Sequence, residues 1–268
     1  MTLIFSQEYE YLEGEYRHRG IIASIDSIAH WQDGSFKSQI KYLFNGSDEA
    51  LEYLVLITGQ LTLVRLGESI PIVEHLEMFF RSYDLKSHQE LTELVSKELS
   101  NYRLAISNPH STDPDPDSTL YIFSVEKDSS RLSCSSITVS TSKEGETRYK
   151  SNIVENGVIH WTAGKLDEHF FPKVSDIENL MYNAEYDVSK TIYPMELQML
   201  LKPKLVEKSK LDRMGVGNRE KALAYVVFIQ ELELTFSEHA KMLNLVPYTL
   251  SPITYFEITK YGIEIVKN

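Results

Sequence analysis

Thr2 follows Met1, and threonine is small enough to permit removal of that methionine. The chain would then begin with a free α-amine beside a hydroxyl. An α-amine titrates at about 7.7–8.0, so it can act as a general base at neutral pH. A hydroxyl activated by its own amine is a route to covalent acyl transfer. The acid that could serve this pair is Asp26, in the stretch GIIASIDSIAHWQDGS at residues 20–35. There an apolar run from Ile21 to Ile25 ends in a carboxylate with Ser24 and Ser27 close by, before the polar turn Gln32-Asp33-Gly34-Ser35.

The elements that must position these groups follow from the pattern. Residues 3–12 and 18–25 are strand-like and joined at Glu13-Gly14-Glu15, which predicts a long hairpin. Paired in register, it brings the start of its first strand to the end of its second, where Asp26 sits. Further strands are expected at 39–44 and 52–58, with turn chemistry in Asn45-Gly46-Ser47-Asp48 between them. Leu61, Val64, Ile72, Val73, Leu76, Phe79 and Phe80 predict a helix through about residue 81. Leu91, Leu94, Val95, Leu99 and Tyr102 predict a second, with Ser87 and Glu90 capping its start. A loop rich in proline and aspartate spans 107–118. Strands are expected at 119–126, 132–140 and 156–162, and helices near 174–187 and 194–210, the latter interrupted at Pro203. Ala222 to Ile229 reads as a buried strand. Strands grouped around helix pairs predict an α+β fold, a four-layer α-β-β-α sandwich, over a single domain at 1–268 with 231–268 as a C-terminal extension.

The stretch from Gly20 to Phe44 resembles proteasome β-type subunits and their bacterial relatives in the N-terminal nucleophile hydrolase superfamily. Asp26-Ser27 stands for the family's strand-ending acid, Ile40-Lys41-Tyr42-Leu43 for its lysine-bearing strand, and Ile57-Thr58-Gly59 for the apolar strand ending in glycine. A later echo is Asp212-Arg213-Met214-Gly215-Val216-Gly217. The resemblance implies a threonine hydrolase acting on peptide or amide bonds of a peptide or protein substrate. In it Thr2 is the nucleophile, its amine the base, Asp26 and Lys41 tune that pair, the Gly59 N–H stabilises the oxyanion, and Asp212 supports. It also implies a homo-oligomer or ring assembly. Aligned without gaps, however, the family's lysine position falls on Tyr42, and one deletion in the intervening loop is needed to restore Lys41. Helper serines of the family fall on Ala163 and Gly215. An active hydrolase and a catalytically degenerate scaffold, acting in assembly or protein binding, therefore both stand.

Bulk properties narrow the other classes. The 268 residues carry a formal net charge of −12, with 42% hydrophobic and 25% charged residues, as in an ordinary globular protein. Such acidity argues against nonspecific binding to nucleic acid or anionic membrane. No apolar run approaches the roughly 18 residues of a membrane span. Glu8, Glu10 and Glu13 suit no signal peptide, so a cytoplasmic location is expected. Cys134 is the single cysteine, which excludes an internal disulfide and a thiolate metal cluster. Asp113, Asp115 and Asp117 alternate with prolines without the glycine turn or closing glutamate of a calcium loop, and His160 and His169 flank Trp161 without metal-site spacing. Gly215-Val216-Gly217 lacks the third glycine of a nucleotide fingerprint, and the lysines from 202 to 210 read as a solvated helix face. No cofactor and no metal is expected.

Overall fold

The computed structural model describes residues 4–30, 36–46, 50–105, 117–142, 144–153, 219–242 and 252–266, with isolated helical positions at 195, 198, 199 and 203. The opening hairpin is β1 (Ile4–Glu13) and β2 (Tyr16–Ile25), paired from Ile4 opposite Ile25 to Glu13 opposite Tyr16. A small ribbon of β3 (Ile28–His30) and β4 (Phe36–Ser38) leads to β5 (Tyr42–Asn45) and β6 (Leu51–Gly59). Next comes a tight hairpin, β7 (Thr62–Arg65) and β8 (Glu68–Pro71), feeding directly into α1 (Ile72–Phe80). Then follow α2 (His88–Leu99), β9 (Arg103–Leu104), β10 (Asp117–Glu126), β11 (Arg131–Thr141) and β12 (Thr147–Ile153). The last described elements are α3 (Arg219–Met242), β13 (Thr254–Thr259) and β14 (Gly262–Val266).

Two antiparallel sheets dominate. One has the order β1-β2-β13-β14 and the other β12-β11-β10-β6-β5, with smaller sheets β3-β4 and β8-β7-β9 beside them. Strand β6 shows why the large sheets stack. Apart from Gly59 it is buried on both faces, so alternate side chains enter two different apolar layers. Leu54 and Leu56 join Ile4, Ile21, Ala23, Ile25 and Phe256 in the layer where the sheets meet. Val55 and Ile57 pack with Leu76, Phe80, Leu91, Val95 and Leu99 from α1 and α2. The outer face of the four-stranded sheet, through Phe5, Tyr9, Ile22 and Tyr255, holds Ala222, Val226, Ile229 and Leu232 of α3. Each buried leucine, isoleucine, valine or phenylalanine among them contributes about 1.5–3 kcal/mol by leaving water. Among the described residues no helix is long and apolar enough to cross a membrane.

These elements correct the expected α+β four-layer α-β-β-α sandwich. Among the described residues strand outweighs helix by 49% to 28%, and with three helices that part of the chain is built mainly of antiparallel sheets. Two local causes are clear. Thr62 to Pro71 does not join the helix that its apolar spacing suggested, because Leu66-Gly67 closes a two-residue turn with both φ angles positive, 52° and 86°. Conversely, Ala222 to Ile229 is not a strand but the middle of α3. A continuous apolar run lacks the period that separates a buried strand from a buried helix. The strands at 119–126 and 132–140 and the Ser87-capped helix form as expected, the Ser87 hydroxyl accepting from Glu90 N–H. Residues 156–162 and 174–187, and most of 194–210, lie outside the described residues.

Candidate active site at the end of the opening hairpin

Asp26 is the first residue beyond β2, and Lys41 the last before β5. One follows a strand of the four-stranded sheet and the other precedes a strand of the five-stranded sheet, so the pair links the two sheets at one end. Lys41 Nζ lies 3.3 Å from each oxygen of the Asp26 carboxylate. Both side chains are 0% exposed. The backbone around them is fixed twice over. The Ile57 N–H of β6 donates to the Lys41 carbonyl at 2.9 Å, extending the β5–β6 pairing, and the Gln39 N–H donates to the Ser27 carbonyl at 2.6 Å.

This geometry decides between Lys41 and Tyr42 as the acid's neighbour. The Tyr42 ring packs edge-on to Phe256, with centroids 5.0 Å apart, in the apolar layer where the sheets meet. Lys41, one residue before the strand begins, instead reaches Asp26 with its ammonium. Burial pulls the Lys41 ammonium down from its ordinary 10.5 to about 8, while the Asp26 charge and hydrogen bonds oppose that fall. A lysine so tuned exchanges its proton near physiological pH, which no solvated lysine does.

Gly59 closes β6, two residues beyond Ile57, in a left-handed conformation with φ +88°. A Cβ there would lie 2.4 Å from the Asp117 carbonyl oxygen. The neighbouring backbone is held by Gln60 N–H donating to that same carbonyl at 2.8 Å. It is held also by the Ser118 hydroxyl, placed 3.0 Å from the Thr58 carbonyl and 2.9 Å from that of Gln60. Glycine is therefore demanded by the packing of β6 on β10. Thr2, Asp212, Ala163 and Gly215 lie outside the described residues, as do Asp113, Asp115, His160 and His169. The described chain enters β1 at Ile4, opposite Ile25 and hence beside the strand end that carries Asp26.

Other polar clusters went unread in the sequence. His88, at the start of α2, places Nδ1 2.7 Å from the Ser124 hydroxyl and Nε2 3.1 Å from that of Ser135. Glu52 of β6 accepts from the Ile263 N–H at 2.7 Å and meets Lys127 at 2.9 Å. Gln230 of α3 donates to the Ser24 hydroxyl at 2.6 Å. Glu52 and Gln230 each stand as a polar residue in an apolar run, whereas His88 lies in a polar stretch that gives no local signal. Their partners lie far away in the sequence. Cys134 is buried, and that burial pushes its thiol up to about 12, so it is an inert core group. Among the described residues no group of three or more His, Cys, Asp or Glu side chains could hold a metal ion.

No family model matches this chain. No curated protein matches it. Among solved structures it is similar to a (Gly-1) mutant of Anbu from Hyphomicrobium sp. strain MC1. The identity is 7% and the TM-score 0.43, over 99% of this chain and 85% of that one. A likeness at this level assigns neither a fold nor an activity.

Proposed function

We propose that this chain is an N-terminal-threonine hydrolase of the proteasome-like kind, cleaving peptide or amide bonds. The observation that carries the reading is the buried Asp26–Lys41 pair at the hairpin end where β1 begins. Once Met1 is removed, the Thr2 hydroxyl attacks the substrate carbonyl while the Thr2 α-amine takes its proton. The carbonyl oxygen gathers negative charge and is met by the backbone N–H of Gly59, where no side chain obstructs approach. The amine then returns the proton to the departing nitrogen, leaving an ester on Thr2. Water, deprotonated by the same amine, releases the acid product and restores the hydroxyl. Lys41 places positive charge beside this proton traffic, Asp26 keeps that lysine charged, and Asp212 supports the N-terminal end. The substrate is a peptide or protein, and the chain works as a homo-oligomer in the cytoplasm.

A second reading has its own support: Gly59 has a packing reason to be glycine, and a fully buried ion pair between sheets can serve as a tie alone. On that reading the chain is a catalytically silent assembly or binding module. Intact mass of the purified protein separates the two. Hydrolase function requires a species lacking Met1 that is labelled by an electrophile selective for N-terminal threonine, with Thr2→Ala abolishing the label. Retention of Met1 in functional protein, or labelling unchanged by Thr2→Ala, rules the hydrolase out.

A further inference from the structure

The opening hairpin runs on past its neighbour in the sheet. The ladder between β2 and β13 ends with Ile258 opposite Ile21, whereas β1 and β2 stay paired as far as Glu13 opposite Tyr16. Among the described residues this projecting arm meets the β13–β14 end of the sheet through side chains. The Tyr9 hydroxyl donates to Glu257 of β13. Lys260, in the β13–β14 turn, pairs with the Glu13 carboxylate and donates to His18 Nε2 at 3.0 Å. That same nitrogen lies 3.5 Å from Glu13. The Lys260 and His18 side chains are only 22% and 25% exposed, so neither charge would be fully solvated. Facing His18 are Tyr11, with ring centroids 5.5 Å apart, and Glu13 from β1, and Lys260 from the turn, with the Tyr261 ring 4.9 Å from its ammonium. Arg17 and Arg19, beside it on β2, are engaged with Glu10 and Glu8.

We propose that this contact is an acid-sensitive latch, holding the arm to the β13–β14 turn while His18 is neutral and releasing it when His18 is protonated. A neutral imidazole offers one ring nitrogen as an acceptor for the ammonium, and an imidazolium offers none. Histidine is the side chain that makes this change between about pH 5 and 8. Protonated His18 repels Lys260 and competes with it for Glu13, which lies on the same hairpin as His18. With Lys260 in place, the imidazolium sits between an attracting carboxylate and a repelling ammonium. With Lys260 withdrawn only the attraction remains, so acid favours withdrawal. Glu13 keeps its charge throughout, because hydrogen bonds from Lys260 and Tyr261 hold its carboxyl below the usual range. The latch does not depend on the hydrolase reading.

The test is hydrogen–deuterium exchange of the full-length chain at about pH 7.5 and 5.5, corrected for intrinsic exchange rates. Protection in segments 16–20 and 258–262 should fall roughly threefold or more at the lower pH, while the middle of β10 keeps its protection. In His18→Gln an amide oxygen accepts from Lys260 at either pH, so protection there should stay level. Lys260→Met should leave those segments weakly protected at both values. Wild-type protection that is equal at the two pH values overturns the proposal. So does a fall that His18→Gln retains, or Lys260→Met protein that still responds to pH.

Discussion

Lys41 is worth more to this molecule than a surface lysine because neither it nor Asp26 touches water. Lys41→Met leaves a buried carboxylate without its ammonium partner, and the expected loss is about 3–5 kcal/mol in denaturant unfolding. Joint replacement, Asp26→Leu with Lys41→Met, removes both charges and should cost clearly less than either change alone. The pH dependence carries a definite sign. Lys41 holds its proton less tightly folded, at about 8, than at its ordinary 10.5. Between those values the unfolded chain binds more protons, so the Lys41 contribution raises stability as pH climbs from 8 to 10.5. The difference between wild type and Lys41→Met, measured across that window, should grow in favour of wild type. A flat difference would remove Lys41 as a burial-shifted group. Gly59→Ala combines a left-handed φ with a Cβ 2.4 Å from a carbonyl oxygen, so a loss of about 2 kcal/mol or more is expected. At this scale the sequence was informative about Asp26, since an acid ending an apolar strand is unusual by itself. It could not choose Lys41 over Tyr42. One residue more or less in the connection from Asp26 flips which side chain faces the acid, and no local pattern records that length.

The elements hold together through polar contacts that propensity does not foresee. The start of α2 is fixed to β10 and β11 by His88 lying between the Ser124 and Ser135 hydroxyls, and by its backbone N–H donating to the Glu126 carboxylate at 3.2 Å. Burial lowers the imidazole from 6.5 to about 4; Glu126 opposes that shift and Arg131 adds to it. A neutral ring can accept from one hydroxyl and donate to the other, whereas an imidazolium can only donate. Between pH 6.5 and 4 the unfolded chain binds more protons at this site, so stability falls as pH drops through that window. Wild type should lose stability over it more steeply than His88→Gln, as read from melting temperatures at pH 7, 5.5 and 4.5; parallel curves would show that His88 is not held neutral. Long strands and α2 were legible because their periods are clean and their ends carry turn or cap residues. The hairpin at 62–71 and helix α3 were not. In the first, the turn depends on a leucine in a conformation that leucine avoids. In the second, apolar residues at 222–229 follow without a polar face to reveal the helical period.

At the scale of the whole molecule, the order of elements in space differs most from their order in sequence. Strands β13 and β14 come last in the described chain yet sit in the first sheet, with Phe256 opposite Ala23 and Ile258 opposite Ile21. The tail read as an extension thus completes the sheet that the opening hairpin begins. Hydrophobic alternation can mark 254–259 as a strand, but it cannot say that its partner lies more than 200 residues away. The tail also reaches the second sheet and α3. Ile263 N–H is taken by buried Glu52 of β6, and Glu257 receives two hydrogen bonds at 2.6 Å from Arg219 at the start of α3. Phe256, fully buried, contacts both Tyr42 and Phe44 of β5. Ending the chain before Pro252 therefore strips β2 of a neighbour, opens the apolar layer between the sheets and leaves the Glu52 carboxylate without the Ile263 N–H. The loss of Tyr255, Phe256, Ile258 and Ile263 alone forfeits several times about 1.5–3 kcal/mol, more than the 5–15 kcal/mol of a typical domain can bear once the broken polar ties are added. The truncated protein should show no cooperative thermal transition by circular dichroism. Adding residues 252–268 back as a separate peptide should restore one in proportion to its concentration, because strand addition is then a binding equilibrium. A truncated chain that melts cooperatively near the wild-type temperature would mean that the two sheets are held by the opening hairpin and α3 alone.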